Sequence, residues 1–336
     1  MNGHVMHKLK IKFDPNALQL HVEQMLVTHT SFEKAMDSLE QAFNAAPIIR
    51  DPMGIFITGE SRTGKSRVIE EFMDAHQPIR FNEGLEVPVI KVLVPSKPSV
   101  KGLAAEILRA LGDPLPDKGT EQVMTARLLI FLSHCKVRML ILDEGQHLVD
   151  KSTKYNLIHH VSDWLKNLMN QSKVVVVIAG LEYAQTILSQ NEQLRGRFTN
   201  KINMPRFNWR EDQSRSEFLG LLAGFNSFIS EQFSMPDISS HDLALRFYLA
   251  SGGLTGYLFN ILRKTVWDVV DDGRTTIHLE DFDVGYRAMI STQDQHQSSP
   301  FSRSFQLDDG QVFEKARTIG LRPEDYISER RLKVIK

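Results

Sequence analysis

Eight consecutive residues combine glycines, a lysine and a hydroxyl group in the order that phosphate binding requires. They match the pattern G-x-x-x-x-G-K-[ST] and read Gly59, Glu60, Ser61, Arg62, Thr63, Gly64, Lys65 and Ser66. Glycines let the backbone curl so that successive N–H groups face a phosphate, and a following helix adds its positive N-terminal end. In such a loop Lys65 would reach the β- and γ-phosphates, and the Ser66 hydroxyl would ligate Mg²⁺. The motif therefore predicts a binding site for ATP with Mg²⁺.

Two adjacent carboxylates stand at the end of an apolar run further along the chain. Residues 137–142 read VRMLIL, and Asp143 and Glu144 follow them. An acid at the end of a strand can hold the Mg²⁺ hydration shell beside the phosphates, and a neighbouring acid can orient the attacking water. We assign Asp143 to the metal and Glu144 to the water, which makes ATP hydrolysis the expected activity.

The elements that would position these groups alternate between strand and helix. Five short apolar runs are typical of strands buried on both faces, which predicts a parallel sheet covered by helices. The runs are residues 55–57, 87–94, 137–143, 173–179 and 201–204. Ser99 is the expected N-cap of a helix between the second and third strands. Further helices are predicted over residues 120–134, 155–170, 212–229, 241–250, 255–270 and 280–290.

Composition changes along the chain divide it into four expected segments. We predict an N-terminal helical segment over residues 1–45 packed beside a nucleotide-binding α/β domain over 46–208. A helical lid domain over 209–290 and a flexible C-terminal tail over 291–336 follow. The tail is polar but carries Phe301 and Phe305, and exposed aromatic residues in a polar segment commonly dock in grooves. We therefore expect this tail to contact a protein partner.

A parallel sheet followed by a small helical domain is the layout of AAA+ ATPases. The predicted fold class is therefore α/β, an AAA+ P-loop NTPase with a five-stranded parallel sheet flanked by helices, a small C-terminal helical lid and a flexible tail. Two arginines, Arg195 and Arg197, precede the fifth strand. An arginine there can point into a neighbouring subunit's nucleotide and stabilise charge on the γ-phosphate in the transition state. Arg197 is the first choice for this role and Arg195 the second; the alternative is that both form surface salt bridges.

Composition limits the remaining possibilities. The chain has 336 residues, 42% hydrophobic and 24% charged, which is ordinary for a globular protein. No apolar run reaches the roughly 18 residues of a membrane span, and Cys135 is the single cysteine, which excludes an internal disulfide. We therefore expect a cytoplasmic protein that contacts no membrane. The formal net charge is −1, so any DNA contact would come from a local patch.

The chain resembles the TniB/TnsC family of AAA+ transposition regulators, which includes those of CRISPR-associated transposons. The resemblance rests on GESRTGKS, on VPSKPSVKGLAAEILRALGDPLP at 94–116, on VRMLILDEGQHLV at 137–149 and on LRGRFTNKINMPRFNW at 194–209. It implies ATP on residues 59–66, Mg²⁺ on Ser66 and Asp143, and the hydrolytic water on Glu144. It also implies assembly on double-stranded DNA as an ATP-bound homo-oligomeric ring or filament. Such proteins link a target-selector protein, TniQ-like, to the transposase subunits.

Two positions depart from the usual AAA+ pattern. The fourth strand ends in Ile178, Ala179, Gly180 and Leu181, where many AAA+ proteins carry a polar sensor residue. Many AAA+ proteins also carry an arginine in the helical domain near the position of residues 252–257, where this chain has none until Arg263. Both absences favour slow hydrolysis.

A ring around DNA needs cations on its inner wall to follow the phosphates. By resemblance the wall is built from the loop after the second strand and the segment after the acidic strand. The DNA-binding lysines expected there are Lys97, Lys101, Lys151 and Lys154. The alternative is that these four lysines are only hydrated, as lysines in surface loops commonly are.

Two other kinds of protein could use the same motifs. A helicase or initiator loader would show ATPase activity stimulated by a protein partner more than by bare DNA. A signalling NTPase with the helical domain as a switch would ignore DNA. The segments at 94–116 and 194–209 favour the transposition regulator over both.

Overall fold

The computed structural model describes residues 14–82, 84–149, 155–190, 192–289 and 299–305. The chain divides into two compact units. One comprises His29–Arg206, and the other combines Met1–Thr28 with Phe207–Lys336. We refer to them as the sheet unit and the helical unit.

The sheet unit is built on five parallel strands, as the sequence predicts. They are β1 (Gly54–Thr58), β4 (Val89–Leu93), β5 (Met139–Asp143), β6 (Val175–Gly180) and β7 (Asn200–Asn203), in the spatial order β4-β5-β6-β1-β7. Strands β1, β5 and β6 are buried throughout because both faces of the sheet are covered. Phe56 packs in the apolar cluster on one face, and Ile55 and Ile57 pack in the cluster on the other.

Helix α2 (Thr30–Ala45) precedes the first of these strands, and the other helices of the sheet unit connect them. The connecting helices are α3 (Lys65–Ala75), α4 (Val100–Ala110), α5 (Glu121–His134), α6 (Tyr155–Ser172), α7 (Thr186–Gln190) and α8 (Glu192–Arg195), with 3₁₀ turns at Gly145–Val149 and Glu182–Gln185. Ser99 caps α4 as predicted, because its hydroxyl accepts the Gly102 N–H at 3.0 Å. A small antiparallel hairpin of β2 (Ile79–Phe81) and β3 (Gly84–Glu86), which we did not predict, lies between α3 and β4 in the chain.

In the part of the helical unit that the structure describes, five helices pack around a core of their own. They are α1 (Pro15–Glu23), α9 (Asp212–Ser230), α10 (His241–Ser251), α11 (Thr255–Asp271) and α12 (Leu279–Arg287). Leu18 and Val22 of α1 are buried in this core, and the His21 ring stacks on Phe228 at a centroid distance of 4.2 Å. The prediction that residues 1–45 form one segment beside the sheet is therefore wrong. The apolar side chains of α1 are buried in the helical unit, whereas α2 packs against the sheet.

The two phenylalanines of the predicted tail are buried in the helical unit. Phe301 is 1% exposed, and its ring meets that of Phe247 at a centroid distance of 4.8 Å. Phe305 is 7% exposed, and Arg246 holds the segment by donating to the Pro300 carbonyl at 2.6 Å. The prediction that these rings are exposed for docking is wrong, because an apolar site within the same unit accepts both. The rest of the predicted tail, residues 291–298 and 306–336, lies outside the described residues.

Among the helices described, none combines the length and the apolar character that crossing a bilayer requires.

Candidate nucleotide-binding site

The phosphate-loop motif joins the end of β1 to the start of α3, as the sequence predicts. Gly64 is the N-cap of α3 and has φ of 96°, a left-handed conformation that glycine adopts without strain. Among the described residues no side chain caps this helix. The N–H groups of its first turn therefore face the concave side of the loop, which is the arrangement that binds phosphate.

The first glycine of the motif is required by the strand that passes beside it. A Cβ atom at Gly59 would lie 2.2 Å from the carbonyl oxygen of Met204, the residue that follows β7. That oxygen belongs to backbone, so it has little freedom to move. The close approach of β7 explains why only glycine fits at this position.

Lys65 lies inside the loop, where it donates to two backbone carbonyls. Its Nζ is 2.9 Å from the Gly59 oxygen and 2.5 Å from the Glu60 oxygen. Burial lowers the pKa of Lys65 to about 8, while the carboxylates of Asp143, Glu144 and Glu60 act in the opposite direction. The charge of Lys65 is therefore influenced by Asp143 at the end of β5 and by Glu144 directly after it; the roles of these three residues stay predictions.

The two acids differ in their surroundings. Asp143 is buried at the end of β5, where its carboxylate accepts the Glu144 N–H at 2.9 Å and pairs with Lys91 Nζ at 3.1 Å. Glu144 is exposed and has φ of 57°, which turns the chain sharply out of the strand. Lys91 on β4 was not singled out from the sequence, because one lysine in an apolar strand carries no motif.

Gln146 holds the carboxylate of Glu144. Its Nε2 donates to Glu144 Oε2, and its Oε1 accepts the Leu181 N–H at 3.2 Å. Leu181 directly follows β6, the strand next to β5. The sequence offered no signal for this role, because the two bonds depend on how β5 and β6 end beside each other.

Arg206 anchors the phosphate loop through Glu60. Its Nε donates to Glu60 Oε1 at 2.7 Å, and a second guanidinium nitrogen donates to Glu60 Oε2. A guanidinium can bind both oxygens of one carboxylate in this way. Arg206 follows β7 and was not predicted as a site residue, although it lies in a segment that carried the family resemblance.

The two arginines proposed to act on a neighbouring subunit form ion pairs within the sheet unit. Arg197 lies 3.6 Å from Asp51, and Arg195 lies 3.2 Å from Glu192. Asp51 and Glu192 are almost fully exposed, so each pair is weak and can exchange for another partner. The choice between a trans-acting role and a surface salt bridge stays a prediction.

Two of the four predicted DNA-binding lysines are described by the structure. Lys97 and Lys101 are exposed on either side of Ser99, where α4 begins. Lys151 and Lys154 lie outside the described residues. The first pair is thus available to a polyanion, and its role stays a prediction.

The site has the donors that Mg²⁺ prefers, but they are few. Asp143 supplies a carboxylate and Ser66, exposed in the first turn of α3, supplies a hydroxyl. Among the described residues no group of three or more His, Cys, Asp or Glu side chains could hold a metal ion. Mg²⁺ commonly binds proteins through one or two carboxylates together with substrate phosphates, so these residues fit a metal that arrives with a nucleotide.

The parallel sheet, the phosphate loop on β1 and the acids on β5 define an AAA+ P-loop NTPase fold. Solved structures share it. Cdc6p from Pyrobaculum aerophilum matches with a TM-score of 0.57 at 14% identity, covering 82% of this chain and 73% of that chain. The Aeropyrum pernix ORC1 protein in complex with DNA matches with a TM-score of 0.55 at 14% identity, covering 90% and 82%.

The family model described as bacterial TniB protein matches residues 18–209, which is more than half of the chain. The chain therefore belongs to the TniB family.

A third solved structure, the Aeropyrum pernix ORC2 protein in its ADPNP and ADP complexes, has a TM-score of 0.54 at 12% identity, covering 79% of this chain and 70% of that one. No curated protein matches the sequence.

Proposed function

We propose that this protein is an ATPase that assembles on double-stranded DNA and links a target-selection complex to a transposase. The observation that carries the proposal is the meeting of Lys65 with Asp143 and Glu144 in one site of a chain that belongs to the TniB family. The match to that family favours transposition over the other uses of an AAA+ fold.

The loop would bind the phosphates of ATP. Backbone N–H groups of residues 59–66 and the charge of Lys65 neutralise the triphosphate, and Ser66 and Asp143 would hold Mg²⁺. The metal supplies neutralisation of phosphate charge. Glu144 would orient a water and accept its proton, because it is the exposed carboxylate beside the loop lysine. The ORC2 structure with ADPNP and ADP is similar in fold, which supports nucleotide binding by this chain.

Arg197 would complete the site of a neighbouring subunit. In this subunit its partner is the exposed Asp51, so releasing it costs little. We therefore expect hydrolysis to depend on assembly, with Arg195 as the second choice. Replacing Arg197 with Ala should abolish turnover and spare nucleotide binding by the monomer; unchanged turnover would contradict this assignment.

DNA would be held by the lysines at the start of α4, with Lys151 and Lys154 as further contacts. The ORC1 structure is a complex with DNA, and its fold is similar to that of this chain. Contacts with phosphates carry little sequence information, which suits a protein that depends on a TniQ-like partner for its target.

The deciding experiment is electron microscopy of the purified protein with a non-hydrolysable ATP analogue, with and without duplex DNA. We expect rings or filaments on DNA only when nucleotide is present. Particles that stay monomeric in all conditions would overturn the proposal, and nucleotide-driven rings that ignore DNA would favour a helicase or initiator loader.

A matched pair of variants tests the DNA surface. Replacing Lys97 and Lys101 with Glu should weaken DNA binding and flatten its dependence on salt, because fewer counterions are released. The control replaces Lys34 and Lys118, which are also exposed in the sheet unit, with Glu. Equal losses from both pairs would show that the effect reflects net charge and not this surface.

A further inference from the structure

Gln146 is a buried polar residue whose two hydrogen bonds connect two strand ends. It is 7% exposed and lies in the 3₁₀ turn that follows β5. Its amide nitrogen donates to the Glu144 carboxylate, and its amide oxygen accepts the N–H of Leu181 after β6 at 3.2 Å. Both polar ends of the side chain are thus used, and its orientation is fixed.

The neighbouring glycines leave the space that this side chain occupies. A Cβ atom at Gly180 would lie 2.7 Å from Gln146 Oε1 and 3.0 Å from the Gln146 backbone nitrogen. A Cβ atom at Gly145 would lie 2.4 Å from Ile178 Cγ2 on β6. The distances of 2.4 and 2.7 Å are shorter than real Cβ contacts, so the present packing of Gln146 beside the end of β6 requires glycine at both positions.

The end of β6 contributes only backbone groups to this side of the site. Ala179, Gly180 and Leu181 have no polar side chain, so the strand itself cannot supply a donor to the acids of β5. Gln146 extends from the turn after β5, and its amide oxygen accepts the Leu181 N–H. This bond orients the amide nitrogen, which donates to Glu144. The polar group at this place therefore comes from the turn and not from the strand.

Glu144 needs such support more than Asp143 does. Asp143 is buried and has Lys91 as a partner, whereas Glu144 is exposed. An exposed glutamate samples several rotamers, and a catalytic base that is misplaced by about 1 Å can lose on the order of 10²-fold in rate. A fixed donor on one carboxylate oxygen limits those rotamers and leaves the other oxygen for water.

We propose that Gln146 is the positioning residue of Glu144 in ATP hydrolysis, held in place by the Leu181 N–H. This inference rests on the proposed ATPase function. Gln146 acts through Glu144 and does not itself touch the nucleotide.

The test compares Gln146→Glu with Gln146→Met in the full chain, under saturating ATP, Mg²⁺ and duplex DNA. Glutamate has the same shape and still accepts the Leu181 N–H, but it donates nothing to Glu144 and repels it. Methionine keeps the length and loses both bonds.

We expect single-turnover hydrolysis to fall about tenfold or more in both variants. We expect the Kd for ATP to change less than twofold in Gln146→Met. A role limited to packing or to pairing Leu181 predicts that Gln146→Glu hydrolyses ATP at the normal rate, which would overturn the inference.

A double-mutant cycle separates action through Glu144 from a general defect. In a Glu144→Gln background, Gln146→Met should change the residual rate less than twofold, because the group that it positions is gone. A second loss of about tenfold in that background would overturn the inference. Thermal unfolding of each variant confirms that the protein compared is folded.

The matched control is Gln213 on α9, whose amide donates to the Glu217 carboxylate at 3.4 Å in the helical unit. Gln213→Glu makes the same change beside the same kind of carboxylate and should leave the hydrolysis rate unchanged. If the wild-type protein itself does not hydrolyse ATP, the proposed function fails; if it does and the Gln146 variants match it, only this inference fails.

Discussion

At the scale of single residues, the loop lysine is tuned by its burial. In the free protein the pKa of Lys65 is about 8, below its ordinary value of 10.5, because burial disfavours the charged form. A bound triphosphate favours that charged form. ATP binding above about pH 8 therefore takes up a proton, and affinity falls as the pH rises.

We predict that the Kd for ATP is constant from pH 6.5 to about 7.5 and then weakens by up to about tenfold per pH unit above pH 8. Fluorescence titration with a labelled ATP analogue measures this directly. Lys65→Arg is the control, because a guanidinium keeps its charge over the whole range. A wild-type Kd that stays level up to pH 9.5 would contradict the lowered pKa of Lys65.

The ion pair with Arg206 neutralises the Glu60 carboxylate, which would otherwise repel the phosphates of a bound nucleotide. Arg206→Ala should weaken ATP binding by about tenfold, or roughly 1.4 kcal/mol, because the Glu60 carboxylate is then free to repel the triphosphate. Adding Glu60→Gln should restore most of the affinity, since it removes the same charge. If the double variant binds as poorly as Arg206→Ala, the guanidinium contacts the nucleotide itself.

At the scale of elements, glycines on one helix provide a matched test of packing. Gly220 and Gly224 both lie in α9; a Cβ atom at Gly220 meets nothing within 4 Å, whereas one at Gly224 would lie 2.5 Å from Val27 Cγ1. We predict that Gly220→Ala raises the free energy of unfolding by about 0.5–1 kcal/mol, because alanine favours the helix. Gly224→Ala should lower it by about 1–3 kcal/mol through overpacking against Val27. Urea unfolding measures both, and equal effects would show that the chain segment after α1 does not pack on α9.

The sequence predicted the elements that carry a local pattern. The five strands, the Ser99 cap and the phosphate loop could be read in advance, because apolar runs, capping hydroxyls and glycine spacing reflect constraints on neighbouring residues. The hairpin of β2 and β3 was not predicted, because each strand has only three residues and both are largely exposed. Such strands lack the alternation of buried and exposed positions that would identify them.

Contacts between distant parts of the chain could not be predicted in this way. Gln146 and Arg206 owe their positions to the order of strands in the sheet, which brings β6 beside β5 and β7 beside β1. The unit in which α1 packs was predicted wrongly for the same reason, since its apolar face would suit either unit. In each case the contact joins residues far apart in the sequence, and local patterns in a single sequence do not show which distant residues pair.

At the scale of the whole molecule, the division of the chain between two units determines which truncations are tolerated. Residues 299–305 complete the core of the helical unit, because the Phe301 ring lies among Phe247, Phe282 and Tyr286. Removing residues 291–336 therefore removes core side chains together with the end of the chain. Removing 306–336 retains Phe301 and Phe305 together with the residues that their rings are described as contacting.

We predict that the two truncations separate stability from partner binding. Deleting 291–336 should destabilise the helical unit by about 3–5 kcal/mol or more, the usual cost of losing a buried phenylalanine, and Phe301→Ala alone should reproduce much of this loss. Deleting 306–336 should leave the urea midpoint, ATP hydrolysis and DNA binding unchanged. If these residues bind the transposase or the target selector, the shorter truncation should still abolish transposition in a reconstituted assay. Normal transposition by a stable protein that ends at Phe305 would place the partner contact elsewhere, and the exposed surfaces of the two units would then be the regions to test.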